Sequence, residues 1–230
     1  FRPYSPLYSP TRWRNWWGFG NGAICDIGTH MFDVLQWVFD IGFPDTVEAE
    51  VSKASEFTIP QWVNLYWKFP AKGDRGPINV HWKNGWKKGK QNFPKRIPHI
   101  PKETIEQTRN GMAFSGPEGT LFIPEMRATR RPQIFPQSRE SEFLASRPKK
   151  VYPRLKGGHF KDFFNAIREG RKAGADFAYG AALTEQVLLG ALAQRTLKPI
   201  RWDPARMRAI DVPEADPFIR PERNQYAWKP

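Results

Sequence analysis

The sequence predicts an α+β fold built on a large, mostly antiparallel open sheet backed by helices. Three observations predict it. Strand-forming segments are grouped in the middle of the chain, helical apolar periodicity stands at both ends, and strands do not alternate with helices as a parallel sheet requires. The chain has 230 residues, 40% of them apolar and 26% charged. That composition suits one globular domain spanning 1–230, with an irregular arm over 1–22 and an extended tail over 212–230.

The arm is rich in Pro, Arg, Gly and aromatic residues, which disfavour regular structure. From Ala23, helical spacing places Ile24, Ile27, Met31, Val34, Leu35 and Val38 on one apolar stripe. The helix is expected to end near Asp40-Ile41-Gly42, with Gly42 as its stop and Pro44 beyond it. Strands follow over Thr46–Ser55, where Val47, Ala49 and Val51 alternate with Glu48 and Glu50, then over Trp62–Trp67 and Ile78–Trp82. Residues 83–111 are basic and rich in Gly and Pro, and are expected to form a long surface excursion. Met112–Ser115 and Thr120–Ile123 flank Gly116-Pro117-Glu118-Gly119, a hairpin signal. Within 125–157 only Gln133–Phe135 suggests a strand. Two helices then follow: one with an apolar stripe of Phe160, Phe163, Phe164 and Ile167 ended by Gly170, and one over Ala181–Leu197 with Leu183, Val187, Leu188, Ala191 and Leu192 expected inside. Ile200–Asp203 is the last expected strand.

Lys and Arg exceed Asp and Glu by 36 to 23, a formal charge of +13. Such a surplus favours anions, but the positive residues are scattered. Their densest cluster, Trp86-Lys87-Lys88-Gly89-Lys90, lacks zinc-finger spacing or an aromatic RNA-binding signature, so no nucleic-acid partner is expected. No run of about 18 apolar residues suggests a membrane span. The single Cys25 lies in the apolar-periodic stretch and is expected to be a packed, inert thiol. The opening Phe1-Arg2-Pro3 shows neither a methionine start nor a signal peptide and reads as the middle of a longer chain. Bacterial cytoplasm and periplasm both fit.

Chemistry concentrates at Asp26-Ile27-Gly28-Thr29-His30 and Asp33. On a helix, Asp26, His30, Asp33 and Trp37 fall within about 60° of arc, roughly 120° from the apolar stripe. A carboxylate beside an imidazole orients it and favours its charged form, which suits a group that takes a proton from a hydroxyl and returns it. The spacing also allows a capping or surface pair, and a metal lacks further ligands at suitable spacing. Before this helix, Gly18-Phe19-Gly20-Asn21-Gly22 has the wrong spacing and no preceding apolar strand for a dinucleotide loop. Trp16 and Trp17 could stack on a sugar, Arg12 and Arg14 could bind an acidic group, and Asp33 and His159 are further candidates for substrate contact. His81, His99 and Glu185 are more easily read as structural.

The run Trp16-Trp17-Gly18-Phe19-Gly20-Asn21-Gly22-Ala23-Ile24-Cys25-Asp26-Ile27-Gly28-Thr29-His30-Met31-Phe32-Asp33 resembles the Gfo/Idh/MocA family of glucose–fructose oxidoreductase and inositol dehydrogenase. Gly42–Ala49, Gly116-Pro117-Glu118-Gly119-Thr120-Leu121, His159–Lys172, Leu183–Gly190 and Ile200–Asp203 are similar to later segments of its carboxy-terminal domain, in a bacterial subgroup and in the same order. The resemblance implies a substrate-binding domain that lacks the amino-terminal Rossmann domain, where NAD or NADP binds. No cofactor is then expected on this chain alone. It further implies His30 as catalytic acid/base, Asp26 as the carboxylate paired with it, a sugar-like small molecule as substrate, and a homo-oligomer formed through the open sheet face. The family's Glu-Lys-Pro motif is absent here. A stand-alone sugar-binding or assembly domain and half of an NAD-dependent glycoside hydrolase are the alternatives.

Overall fold

The computed structural model describes residues 4–53, 55–147, 149–152 and 155–220. The fold gathers into two compact units, residues 1–94 with 184–230, and residues 95–183. The first unit opens with two 3-10 turns, Arg12–Asn15 and Trp17–Phe19, inside the expected irregular arm. There follow α1 (Ala23–Asp26), α2 (Gly28–Phe39), β1 (Thr46–Val51), β2 (Trp62–Phe69), β3 (Ile78–Lys87) and β4 (Lys90–Gln91). The second unit holds α3 (Lys102–Gln107), β5 (Met112–Ser115), β6 (Thr120–Ile123), β7 (Gln133–Phe135), α4 (Gln137–Ala145) and α5 (Gly158–Glu169). Helix α6 (Phe177–Thr196) starts there and runs into the first unit, which continues with β8 (Arg201–Asp203), β9 (Arg208–Ile210) and α7 (Asp216–Ile219). Residues 221–230 of the expected tail lie outside the described residues.

The class is α+β with open antiparallel sheets. Instead of one large sheet, the strands form a four-stranded sheet ordered β1-β2-β3-β4, a three-stranded β5-β6-β7 and a two-stranded β8-β9. An isolated bridge between Val47 and Ile200 joins β1 to the segment before β8. In the four-stranded sheet, Val47 faces Trp67, which faces Val80, and Ala49 faces Leu65, which faces Trp82. These residues share one side, because successive side chains alternate. Val47, Leu65 and Trp67 are fully buried there. The opposite side carries Glu48, Glu50, Asn64, Tyr66, Lys68, His81 and Lys83, tied by Lys68–Glu48 at 3.1 Å and Lys87–Glu50 at 3.2 Å. This face is therefore largely polar, with the Trp62 ring on it covered by the Lys87 ammonium at 3.7 Å.

Trp67 centres the first core. Its ring meets Phe32 of α2 edge-on at 4.9 Å, and its indole N–H donates to the Gln186 carbonyl of α6 at 3.1 Å. Gly190, one turn further along α6, permits this approach, since a Cβ there would lie 2.5 Å from the Trp67 ring. The Gln186 side chain, fully buried, donates to Gln36 Oε1 and to the Gly42 carbonyl, both at 2.8 Å. One amide thus links α6 to both the last turns of α2 and the chain beyond it.

Several expectations change. The first helix is interrupted at Ile27, and it ends on Asp40, at the start of the expected Asp40-Ile41-Gly42 stop. Asp40 is left-handed (φ 44°) and its N–H reaches the Gln36 carbonyl; a short polar side chain tolerates this conformation. The buried line is Ile24, Gly28 and Phe32, while Trp37 and Val38 are 66% and 65% exposed. The basic excursion is partly ordered: β3 runs through Lys87, Lys88 (φ 53°) and Gly89 (φ 72°) make the paired left-handed turn a tight hairpin needs, and β4 returns. Buried Asn92 secures it by donating to the Val63 carbonyl and Asn64 Oδ1, each at 2.9 Å. In α6, Leu188 is 41% exposed and the helix begins at Phe177, capped by Asp176.

In the second unit the β5–β6 hairpin closes as expected, Gly116 N–H donating to the Gly119 carbonyl at 2.8 Å. Helices α3 and α4 had no apolar periodicity to announce them. The stripe of α5 exists but lies outward: Phe160 and Ile167 are 71% and 65% exposed, while Asp162 and Ala166 are buried. Asp162 accepts from the Gly174 N–H and from Arg171, and both hold its carboxyl below the usual range.

Gly190→Ala forces a Cβ into the Trp67 ring and is expected to destabilise the protein by about 1–3 kcal/mol. Chemical denaturation checks this, with the Trp67 environment read by near-ultraviolet dichroism.

Candidate functional site

The Asp26–His30 helix reaches its position through the glycine run before it. A Cβ at Gly20 would lie 3.2 Å from the Trp13 ring, and one at Gly22 (φ 75°) 2.8 Å from Ile59. These glycines let the arm and the 57–59 segment pack closely. The arm is fastened by Trp17 N–H to the Phe57 carbonyl (3.0 Å) and Ile59 N–H to the Asn15 carbonyl (2.9 Å). The run is thus occupied by apolar side chains and offers no cradle for a pyrophosphate.

With the core line at Ile24, Gly28 and Phe32, the arc of Asp26, His30, Asp33 and Trp37 falls on the opposite side of the helix. His30 is exposed, and Asp33 is half-buried. Asp26 does not pair with His30. Its carboxylate takes the Nε–H of Arg14, whose guanidinium also stands 4.5 Å over the Trp13 ring. The two side chains are 38% and 27% exposed. The sequence alone does not join Arg14 to Asp26, because an irregular arm has no period from which to read its partners.

The remaining candidates separate. Arg12 is exposed. Trp16 is held within the arm: its indole N–H donates to the Leu7 carbonyl at 3.3 Å and Tyr8 meets it edge-on at 5.1 Å. One face of Trp17 is covered by the Arg195 guanidinium at 4.1 Å, which also stands 4.9 Å from Phe218. Burial lowers the pKa of Arg195. Arg195 went unremarked in the sequence, where the one signal was a cation late in an apolar helix. His159 belongs to the second unit, exposed, its ring 4.4 Å from that of Phe160. His81 sits edge-on to Tyr66 at 5.1 Å on the polar sheet face, its pKa lowered by desolvation and by Lys83. Glu185 accepts from the Trp202 indole N–H, the structural role its apolar surroundings demand. Cys25 contacts the Val187 carbonyl at 3.9 Å, and burial pushes its thiol up to about 12. Among the described residues no cluster of His, Cys, Asp and Glu could hold a metal, and no helix is long and apolar enough to cross a membrane.

The first unit thus sets an open antiparallel sheet behind a helix whose outward face carries Asp26, His30 and Asp33. Residues 1–94 match the model of the GFO/IDH/MocA C-terminal domain family. The aldose–aldose oxidoreductase of Caulobacter crescentus, complexed with glycerol, shares the fold at 15% identity and a TM-score of 0.50, over 84% of this chain and 51% of that one. The Bacillus subtilis protein yvaA aligns over 88% of this chain and 55% of its own at 14% identity, with a TM-score of 0.39 too low to carry an argument. The chain thus spans about half the length of these solved chains. No curated protein matches it.

With its thiol pushed to about 12, Cys25 is expected to stay unmodified by a disulfide reagent at pH 8 in the native protein and to react at once in denaturant. A time course of released chromophore checks this.

Proposed function

We propose that the first unit is the substrate-binding and catalytic side of an NAD(P)-dependent oxidoreductase acting on a sugar or polyol hydroxyl. The observation that carries the reading is His30: an exposed imidazole on the face opposite the core, in a segment that matches the family, with a fixed carboxylate one turn before it. An exposed imidazole can accept a hydroxyl proton and return it. Asp26, held by Arg14, offers its remaining lone pairs to a neighbouring hydroxyl. Asp33 completes the polar arc. The neighbour of the same fold complexed with glycerol makes a small polyol a reasonable first ligand. The nicotinamide cofactor supplies the hydride chemistry when bound; the described residues of this chain hold no site for it, so no step is assigned to it here.

Isothermal titration with glycerol, myo-inositol and glucose tests the reading. Binding of at least one is expected, with His30→Ala weakening it about tenfold, the loss of one good hydrogen bond. Unchanged affinity in His30→Ala would remove His30 from the site. The packing of Gly20 and Gly22 against Trp13 and Ile59 keeps the alternative of a sugar-binding domain in view, and turnover with NAD(P) by this chain joined to a cofactor-binding domain separates the two.

A further inference from the structure

The geometry points to a binding site within the second unit: an open polar cleft that takes an uncharged, disaccharide-sized sugar. His30 plays no part in it. The cleft has a volume of about 450 Å³ and is lined by α3, the three-stranded sheet, α4 and the segments that join them. Its floor follows from strand pairing. Phe122 faces Gln133 and Thr120 faces Phe135 across β6 and β7, and side chains two apart on a strand share a side, so Phe122, Gln133 and Phe135 turn to one face. Its walls follow from helical spacing. Gln107 and Thr108 come one turn after Thr104, and Glu140 one turn after Gln137, so each helix gives the cleft a polar face. This accounts for the missing apolar periodicity of α3 and α4: toward the cleft they carry Thr, Gln and Glu where a packed helix would bring Leu or Val, and the space stays open.

The chemistry of the lining selects the ligand. Its two charged residues, Arg131 and Glu140, pair with each other, and the Glu140 side chain is only 12% exposed. Gln137 Nε2 donates to the other Glu140 oxygen at 3.2 Å. The lining is therefore close to neutral, and neither an anion nor a cation finds the unpaired opposite charge that would offset its desolvation. What remains on offer is a set of groups that pair with hydroxyls. The Gln107 and Gln133 amides both donate and accept, and the Glu140 oxygens retain lone pairs. Half-buried Phe135 and Pro124 add an apolar patch against which the C–H face of a sugar ring can rest. Clefts of about 300–1,000 Å³ accept drug-sized molecules, so a disaccharide fits here, while a triol such as glycerol would leave most of the space to water.

An amide-shift titration of the labelled full chain with maltose, lactose and cellobiose tests the site. At least one is expected to perturb residues 104–108 and 133–140 together and saturably. Gln133→Ala and Gln137→Ala, both at exposed positions, are expected to weaken that sugar about tenfold each, the loss of one good hydrogen bond, with folding checked by circular dichroism. Gln133→Trp, which puts an indole into the cleft, is expected to abolish binding. The aldonic acid of the bound sugar is expected to bind more weakly than the sugar; tighter binding by the acid would overturn the assignment to an uncharged ligand. A cleft untouched by all three sugars, or an affinity indifferent to all three variants, would overturn the site itself. Shifts confined to residues 14–33 would do the same and leave the reading of His30 intact, whereas a failed polyol titration beside saturable disaccharide shifts at 104–140 would count against His30 and support the cleft.

Discussion

The first unit depends on the burial of Trp67. A tryptophan supplies more apolar surface than any other side chain, and here that surface is shared among three elements: Phe32 of α2, Gly190 of α6 and the neighbouring strands of the sheet. The indole N–H, costly to bury alone, finds the Gln186 carbonyl. Because Phe32 lies on the same face as Ile24 and Gly28, fixing Phe32 also fixes which side of the helix turns outward. The outward side carries Asp26 and His30. Placement of the site therefore follows from a packing constraint on the opposite side of the same helix.

A second constraint acts from the arm. Irregular backbone contributes to a site only when something orders it, and here the ordering comes from Trp13 against Gly20, Ile59 against Gly22 and the paired backbone of Asn15 and Ile59. The glycines that might suggest phosphate binding are consumed by this packing. Their chemical consequence is the delivery of Arg14 to Asp26, which makes the acid–imidazole face a three-residue arrangement rather than a pair.

The strands were legible because period-two alternation leaves one reading: Val47, Ala49 and Val51 had to face together, and they do. The outward arc of Asp26 and His30 was legible from helical geometry alone. The buried line was misplaced because Phe32 was passed over in favour of Val34 and Val38, equally apolar by composition; only the position of Trp67 distinguishes them. The β3–β4 turn was hidden because Lys88 and Gly89 look like solvated charge until their positive φ values are seen. Periodicity identified the stripe of α5 but not which way it points. The Arg14–Asp26 pair had no local signature, since it joins an irregular segment to a helix.

On the reading proposed above, the outward face of this helix receives a polyhydroxylated ligand. Mapping amide shifts in the labelled full chain during a polyol titration tests this directly. The perturbed amides are expected to cluster around Arg14, Asp26, His30 and Asp33. Perturbations confined to Lys95–Leu183, or spread evenly over the chain, would contradict it.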